Sequence, residues 1–262
     1  MRILLPPSEG KTAPATGAAV ELAALFAPDL TSARQQVADA LATLCGADPE
    51  EAAAALKLGK RQHDDLAANR RLTSAPAAPA STVYTGVLYE ALNPGGLPPR
   101  ARDRARRQVM IFSGLWGVLR LDDRIPYYRC PAGAKLRVLD GDKPTGLGTF
   151  WRRRLDEHLP RALENEFVLD LRSGPYQAMW RPCGRHASVR VLHERLVNGE
   201  TRRSVVSHFN KATKGRIAAD LLADAADPAS VPELITALRD LKHRVEPNPT
   251  QPAQLDVVVS EL

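Results

Sequence analysis

The chain has 262 residues, 44% of them apolar and 25% charged, the make-up of an ordinary globular protein with length for one large domain or two modest ones. No apolar run reaches the roughly 18 residues of a membrane span, and prolines interrupt the opening MRILLPPSEGKT too early for a secretory leader, so the cytoplasm is the expected location. The net charge of +6 conceals an asymmetry: residues 100–216 hold 25 Lys or Arg against 12 Asp or Glu, and the remainder 11 against 18.

In chain order, Arg2–Leu5 reads as a short apolar strand that delivers Ser8, Glu9, Lys11 and Thr12 to its carboxyl end. GKT at Gly10–Thr12 is the tail of a phosphate-binding loop, but Leu5 stands where the first glycine of that loop belongs. Pro6 and Pro7 have no N–H to offer a phosphate, so a Walker cradle is excluded. Residues 20–71 read as helical, punctuated by Pro28 and Pro49, the latter suited to a first helical turn. Residues 74–82 read as a loop.

Strand signals follow: VYTGVLY from Val83, QVMIFSG from Gln108, FVLDLRSG from Phe167, SVRVLHE from Ser188, RRSVVSHF from Arg202 and DVVVSEL from Asp256. Helices are expected from about Leu147, Asn210 and Val231. The fold class expected is α/β in the mixed α+β sense: a mixed sheet covered by helices, with the amino-terminal helical segment packed on it. Apolar runs that end in polar turns suit buried central strands, and in open α/β sheets ligands bind off the carboxyl ends of such strands.

Several groups of residues are candidates for chemistry. FSGLWGVLRLDDRIPYYR, Phe112–Arg129, places Ser113 at a strand end and Arg120 and Arg129 beside aspartates and tyrosines. Arg with neighbouring Tyr binds phosphate and stacks on bases; the alternative is an arginine–aspartate network that sews a loop to the core. Asp170, Arg172, Ser173 and Tyr176 follow another strand, and Lys211, Lys214 and Arg216 open a helix, where free N–H groups favour anions. Arg152 and Arg153 sit on an amphipathic helix whose apolar face is Trp151, Leu155 and Leu159. The six histidines lack metal-ligand spacing, and Cys45, Cys130 and Cys183 form no pair, so no metal, cofactor or disulfide is expected.

FSGLWGVLRLDDRIPYYR resembles the S-G-L-[YW]-G-x-L-R…D…I-x-x-Y-R signature of the bacterial peroxide-stress protein YaaA family. The likeness continues in order through MRILLPPSEGKT, VYTGVLYEAL, GTFWRRRLDEHL, DLRSGPY and HFNKATKGRIAADLL, from residue 1 to about 222. Asp170 replaces the family's usual Asn, Gly174-Pro175 replaces a common acidic position, and the tail after Pro247 matches poorly.

The resemblance implies one domain over residues 1–262, a mixed α/β fold unlike any common superfold, and a cytoplasmic role in limiting oxidative damage under hydrogen peroxide. It further implies non-specific DNA binding through a positively charged cleft. Ser8, Lys11, Ser113, Arg120, Arg129, Arg152, Arg153, Arg172, Lys211, Lys214 and Arg216 are then the expected anion or nucleic-acid contacts. The alternative is an enzyme acting on a nucleotide or other phosphorylated small molecule in a strand-end pocket, with Asp170, Ser173 or Tyr176 moving protons.

Overall fold

The computed structural model describes residues 1–59, 63–137, 145–197, 200–205 and 207–260. Eight strands form one sheet: β1 (Arg2–Leu5), β2 (Val109–Ser113), β3 (Gly117–Leu119), β4 (Val168–Asp170), β5 (His186–Val197), β6 (Glu200–Ser204), β7 (Val245–Pro247) and β8 (Gln254–Ser260). Their order is β7-β8-β5-β4-β1-β2-β3, with β6 paired to β5. The inner five, β8-β5-β4-β1-β2, are parallel. Strands β3, β6 and β7 add antiparallel. All of β2 and Ile3–Leu5 of β1 are buried, as apolar strands covered on both faces must be.

The main helices are α1 (Thr31–Gly46), α2 (Pro49–Leu56), α3 (His63–Asn69), α4 (Val87–Leu92), α5 (Pro99–Gln108), α6 (Leu147–Ala162), α7 (Ser207–Asp224) and α8 (Val231–Asp240). Pro49 does open α2, and the Asp48 carboxylate caps it by accepting from the amides of Glu50 at 2.7 Å and Glu51 at 2.9 Å. α6 and α8 begin at Leu147 and Val231, where the sequence places them.

Four expectations need correction. VYTGVLY is not a strand: a turn of helix at Ala80–Val83 and then α4 occupy it, because Gly86 at φ +95° turns the chain and Leu88, Tyr89 and Leu92 then bury one helical face. RRSVVSHF divides, its first part ending β6 and its last beginning α7, with Val206 outside the described residues. The helical stretch begins in earnest only at Thr31; Leu22–Ala24 and Pro28–Leu30 are single 3₁₀ turns, and residues 60–62 lie outside the described residues. Finally, the loop expected over residues 74–82 carries the short strand Ala78–Pro79 and the start of that helical turn at Ala80, and α5, which was not expected, gave no apolar pattern to read, since the buried residues within it are Ala101 and Ala105.

The poorly matched tail is part of the sheet. Its DVVVSEL segment forms β8 through Ser260, inserted between β7 and β5, while Glu261 and Leu262 lie outside the described residues.

Topology fixes where a site can lie. The chain leaves β1 toward β2 on one side and leaves β4 toward β5 on the other. Loops that follow the adjacent strands β1 and β4 therefore part, and a crevice opens at their carboxyl ends. Helix α7 lies against α4 at that end, and Gly215 permits the approach: a Cβ there would sit 2.2 Å from the Leu88 carbonyl oxygen. Replacing Gly215 with Ala is expected to cost about 1–3 kcal/mol, because backbone must shift. Chemical denaturation of Gly215→Ala beside the parent checks this, and equal midpoints would show that α4 and α7 are not held as tightly as described.

Candidate functional site

A cavity of about 500 Å³ fills the crevice. The loop after β1 contributes Pro6–Gly10 to it, and the segment after β4 contributes Leu171–Gly174, Tyr176 and Gln177. Gly86–Tyr89 at the start of α4, Ser188–Arg190 of β5, Gln254 of β8, and Asn210, Lys211 and Lys214 of α7 complete the lining. Four of these side chains are cationic (Arg172, Arg190, Lys211 and Lys214) and one, Glu9, is acidic.

The floor is set by a buried ion pair. Arg172 donates from Nε to Asp170 Oδ1 and from Nη2 to Asp170 Oδ2, both at 2.8 Å, and its own amide donates to Asp170 Oδ1 at 3.0 Å. The guanidinium also donates to the carbonyls of Trp180 at 2.8 Å and Tyr176 at 3.1 Å, and lies 4.0 Å from the Phe112 ring. Asp170 is thus oriented away from chemistry by a two-pronged partner that an Asn could not match. Lys214, 8% exposed, donates at 3.4 Å to the Arg172 carbonyl. Burial draws it down to about 8, against the pull of Asp170.

Of the residues expected from the sequence, the structure brings Ser8, Arg172, Ser173, Tyr176, Lys211 and Lys214 to one cavity. Ser8 donates to the Thr85 carbonyl. Ser173 is exposed, and burial raises the phenol of half-buried Tyr176. Lys211 is exposed, as is Arg216 further along α7. Arg152 is exposed and donates twice to the Ala178 carbonyl, at 2.9 and 2.7 Å, which sets it beside the loop that carries Tyr176 and Gln177. Arg153 is exposed on the same helix.

The other residues stand elsewhere. Ser113 is buried, 2.7 Å from the Tyr128 hydroxyl, which in turn lies 2.7 Å from that of Tyr84. Arg120 donates to the carbonyls of Arg107 and Val109, and Arg129 donates to that of Glu9. Asp123 accepts from the amides of Phe26 and Arg120, while Tyr127 donates to Asp65 at 2.6 Å. These bonds fasten the 112–129 stretch to the core. Arg190, Asn210 and Gln254 escaped the sequence reading. Arg190 was visible as the polar face of SVRVLHE, between buried Val189 and Val191, but its pairing with Asp256 at 2.8 and 2.7 Å needs the neighbouring strand.

Lys11 explains the GKT. Lys11 and Tyr84 form an isolated bridge, and the Lys11 ammonium donates at 2.6 Å to the Ser8 carbonyl while lying 4.5 Å from the Tyr128 ring centre. Burial, and secondarily Arg129, draw it down to about 7. Cys130 nearby is pushed by burial up to about 12, so it is a poor thiolate source. Among the described residues no three His, Cys, Asp or Glu side chains gather at metal-holding distance, and no helix is long and apolar enough to cross a membrane.

A mostly parallel α/β sheet with a cavity at its switch point defines the class as an open-sheet α/β protein. A profile described as Peroxide stress protein YaaA matches residues 1–247, so the chain belongs to that family. Similar proteins include a UPF0246 protein of Streptomyces coelicolor, 46% identical over 270 aligned residues covering the whole of both chains. UPF0246 proteins of Corynebacterium efficiens and Corynebacterium glutamicum are 37% and 35% identical over 99% of this chain and all of theirs. The family ties the protein to the response to peroxide stress.

The Lys11 environment has a pH signature. The folded chain releases that proton near pH 7, whereas an unburied lysine keeps it to about 10.5, so raising the pH between those values favours the folded state. Lys214 acts in the same direction from about pH 8. Lys11→Met is expected to be more stable than the parent at pH 6 and to gain less stability from pH 7 to pH 8.5. Denaturant midpoints across that range measure it, and parallel profiles would place the Lys11 ammonium in water.

Proposed function

We propose that the protein serves the peroxide-stress response in the cytoplasm by binding DNA non-specifically, with phosphates held at the cationic mouth of the switch-point cavity. The observation that carries this reading is the pair of lysines, Lys214 and exposed Lys211, which add their charge to a lining whose arginines, Arg172 and Arg190, are already paired with Asp170 and Asp256, with Arg152 beside the adjoining loop. Arg216 on α7 and Arg153 on α6 are exposed on the helices that carry Lys211 and Arg152. Phosphate contact supplies affinity without reading sequence, and the chain has no recognition motif that would read base edges.

Fluorescence anisotropy of a labelled blunt duplex with 5′-hydroxyl ends, titrated from about 50 to 200 mM salt, tests the proposal. Binding should weaken with a log–log slope of about −0.9 for each phosphate neutralised. Lys211→Ala and Arg216→Ala should each reduce that slope by about 1 while weakening all duplex sequences alike. Absence of binding at the lowest salt would overturn it.

A further inference from the structure

Surface contact with duplex phosphates leaves one property of the cavity unused, which is its depth. At about 500 Å³ it has the capacity of a small-ligand site. Its lining divides by chemistry. Val87, Leu88, Leu171 and Val189 are apolar, and Tyr176 adds a half-buried aromatic ring. Lys211, Lys214, Ser173 and Asn210 are polar or cationic.

Two of the polar groups are incompletely satisfied. The buried Lys214 ammonium has three protons to donate, and among the described residues its one bond is the 3.4 Å contact to the Arg172 carbonyl. Asn210 Oδ1 is buried and has no hydrogen-bond partner among the described residues. Buried polar groups are normally paired, so both point to something that completes them. The lysine calls for an anion, and the amide oxygen calls for a donor. A hydrogen phosphate ion carries one hydroxyl and can meet both, but it leaves the apolar wall and most of the ~500 Å³ unfilled. A molecule that joins a phosphate to a hydroxyl- or amine-bearing body supplies both, and its flat ring suits the face of Tyr176 and the apolar wall.

We propose that the cavity holds a single 5′-phosphorylated nucleotide, its phosphomonoester on Lys214 and Lys211 and its sugar or base donating to Asn210. Lys211 and Lys214 lie three residues apart on α7 and so share a helical face, which suits the nearly double charge of a monoester better than the single charge of a diester. The same chemistry has two sources, a free mononucleotide or the terminal nucleotide of a DNA strand. The inference rests on the reading of this cavity as the protein's anion site, but it does not require that a duplex bind.

Isothermal titration of the full chain with dTMP, thymidine and inorganic phosphate tests it. One equivalent of dTMP should bind about tenfold or more tightly than inorganic phosphate, and thymidine should bind far more weakly than either. Lys214→Gln and the exposed Lys211→Ala should each lower dTMP affinity about tenfold or more, the loss expected for one charge-assisted hydrogen bond. Circular dichroism of both variants establishes that they fold, and Lys211→Ala retains the test if Lys214→Gln does not. Anisotropy of one labelled oligonucleotide with a 5′-phosphate or a 5′-hydroxyl then separates the sources. A gain from the phosphate that dTMP competes away assigns a strand end, and no gain assigns a free nucleotide. Absence of dTMP binding, equal binding of inorganic phosphate, or unchanged affinity in the folded variants would overturn the inference, even if duplex binding survives. Conversely, dTMP binding without duplex binding would sustain it and remove the DNA role.

Discussion

The pairing of Asp170 with Arg172 is the constraint on which the candidate site depends. A guanidinium buried to 1% exposure is tolerated only if its protons are used, and here they reach a carboxylate and two carbonyls. Those bonds tie the end of β4 to the Tyr176–Trp180 segment. They also fix the Arg172 carbonyl that holds Lys214. Without the carboxylate, an unpaired charge would remain in the core, and both the floor and one wall of the cavity would lose their reference point. The Asp at 170 is therefore intelligible as the partner of Arg172.

The basic surplus of the middle of the chain serves two purposes, and the structure separates them. Arg34, outside that region, shows the structural use clearly: it is buried and donates to the carbonyls of Ala27 and Trp116 at 3.1 Å, Val118 at 2.9 Å, and Phe26. Arg120 and Arg129 in the signature stretch also donate to main-chain carbonyls. Such arginines replace water for backbone groups that loops cannot pair internally. Lys211 and Lys214 instead line the cavity, as does Arg190, whose guanidinium is paired with Asp256.

The two lysines at depressed values occupy different settings. Lys11 lies against the Tyr84 and Tyr128 rings and anchors the loop after β1 through the Ser8 carbonyl. Lys214 lies in the cavity beside a carbonyl it barely reaches. Burial lowers both, yet the first is enclosed by its own chain and the second faces space that a ligand can enter. For a protein of a peroxide-stress family, the state of the thiols also matters: burial keeps Cys130 protonated and makes it a poor centre for thiolate chemistry with peroxide, whereas Cys183 is exposed.

Much was legible in the residues alone. The apolar runs of β1, β2 and β4 announced buried central strands, Pro49 marked the start of α2, helices were expected where α6 and α8 begin, and polar clusters after two strands marked Ser8, Arg172, Ser173 and Tyr176. Local sequence determines such features because side-chain period and turn chemistry are local. The sequence misread VYTGVLY, whose β-branched and aromatic letters favour a strand, because packing of Leu88 and Tyr89 and the turn at Gly86 decide for helix. Only the tertiary structure could decide that β1 lies between β2 and β4, which turns Ser113 toward Tyr128 and leaves Ser8 facing the Arg172 segment. Only it could insert β8 beside β5, pairing Asp256 with Arg190 and adding Gln254 to the cavity. Strand order and the meeting of residues more than sixty positions apart arise from long-range packing, which no local pattern encodes.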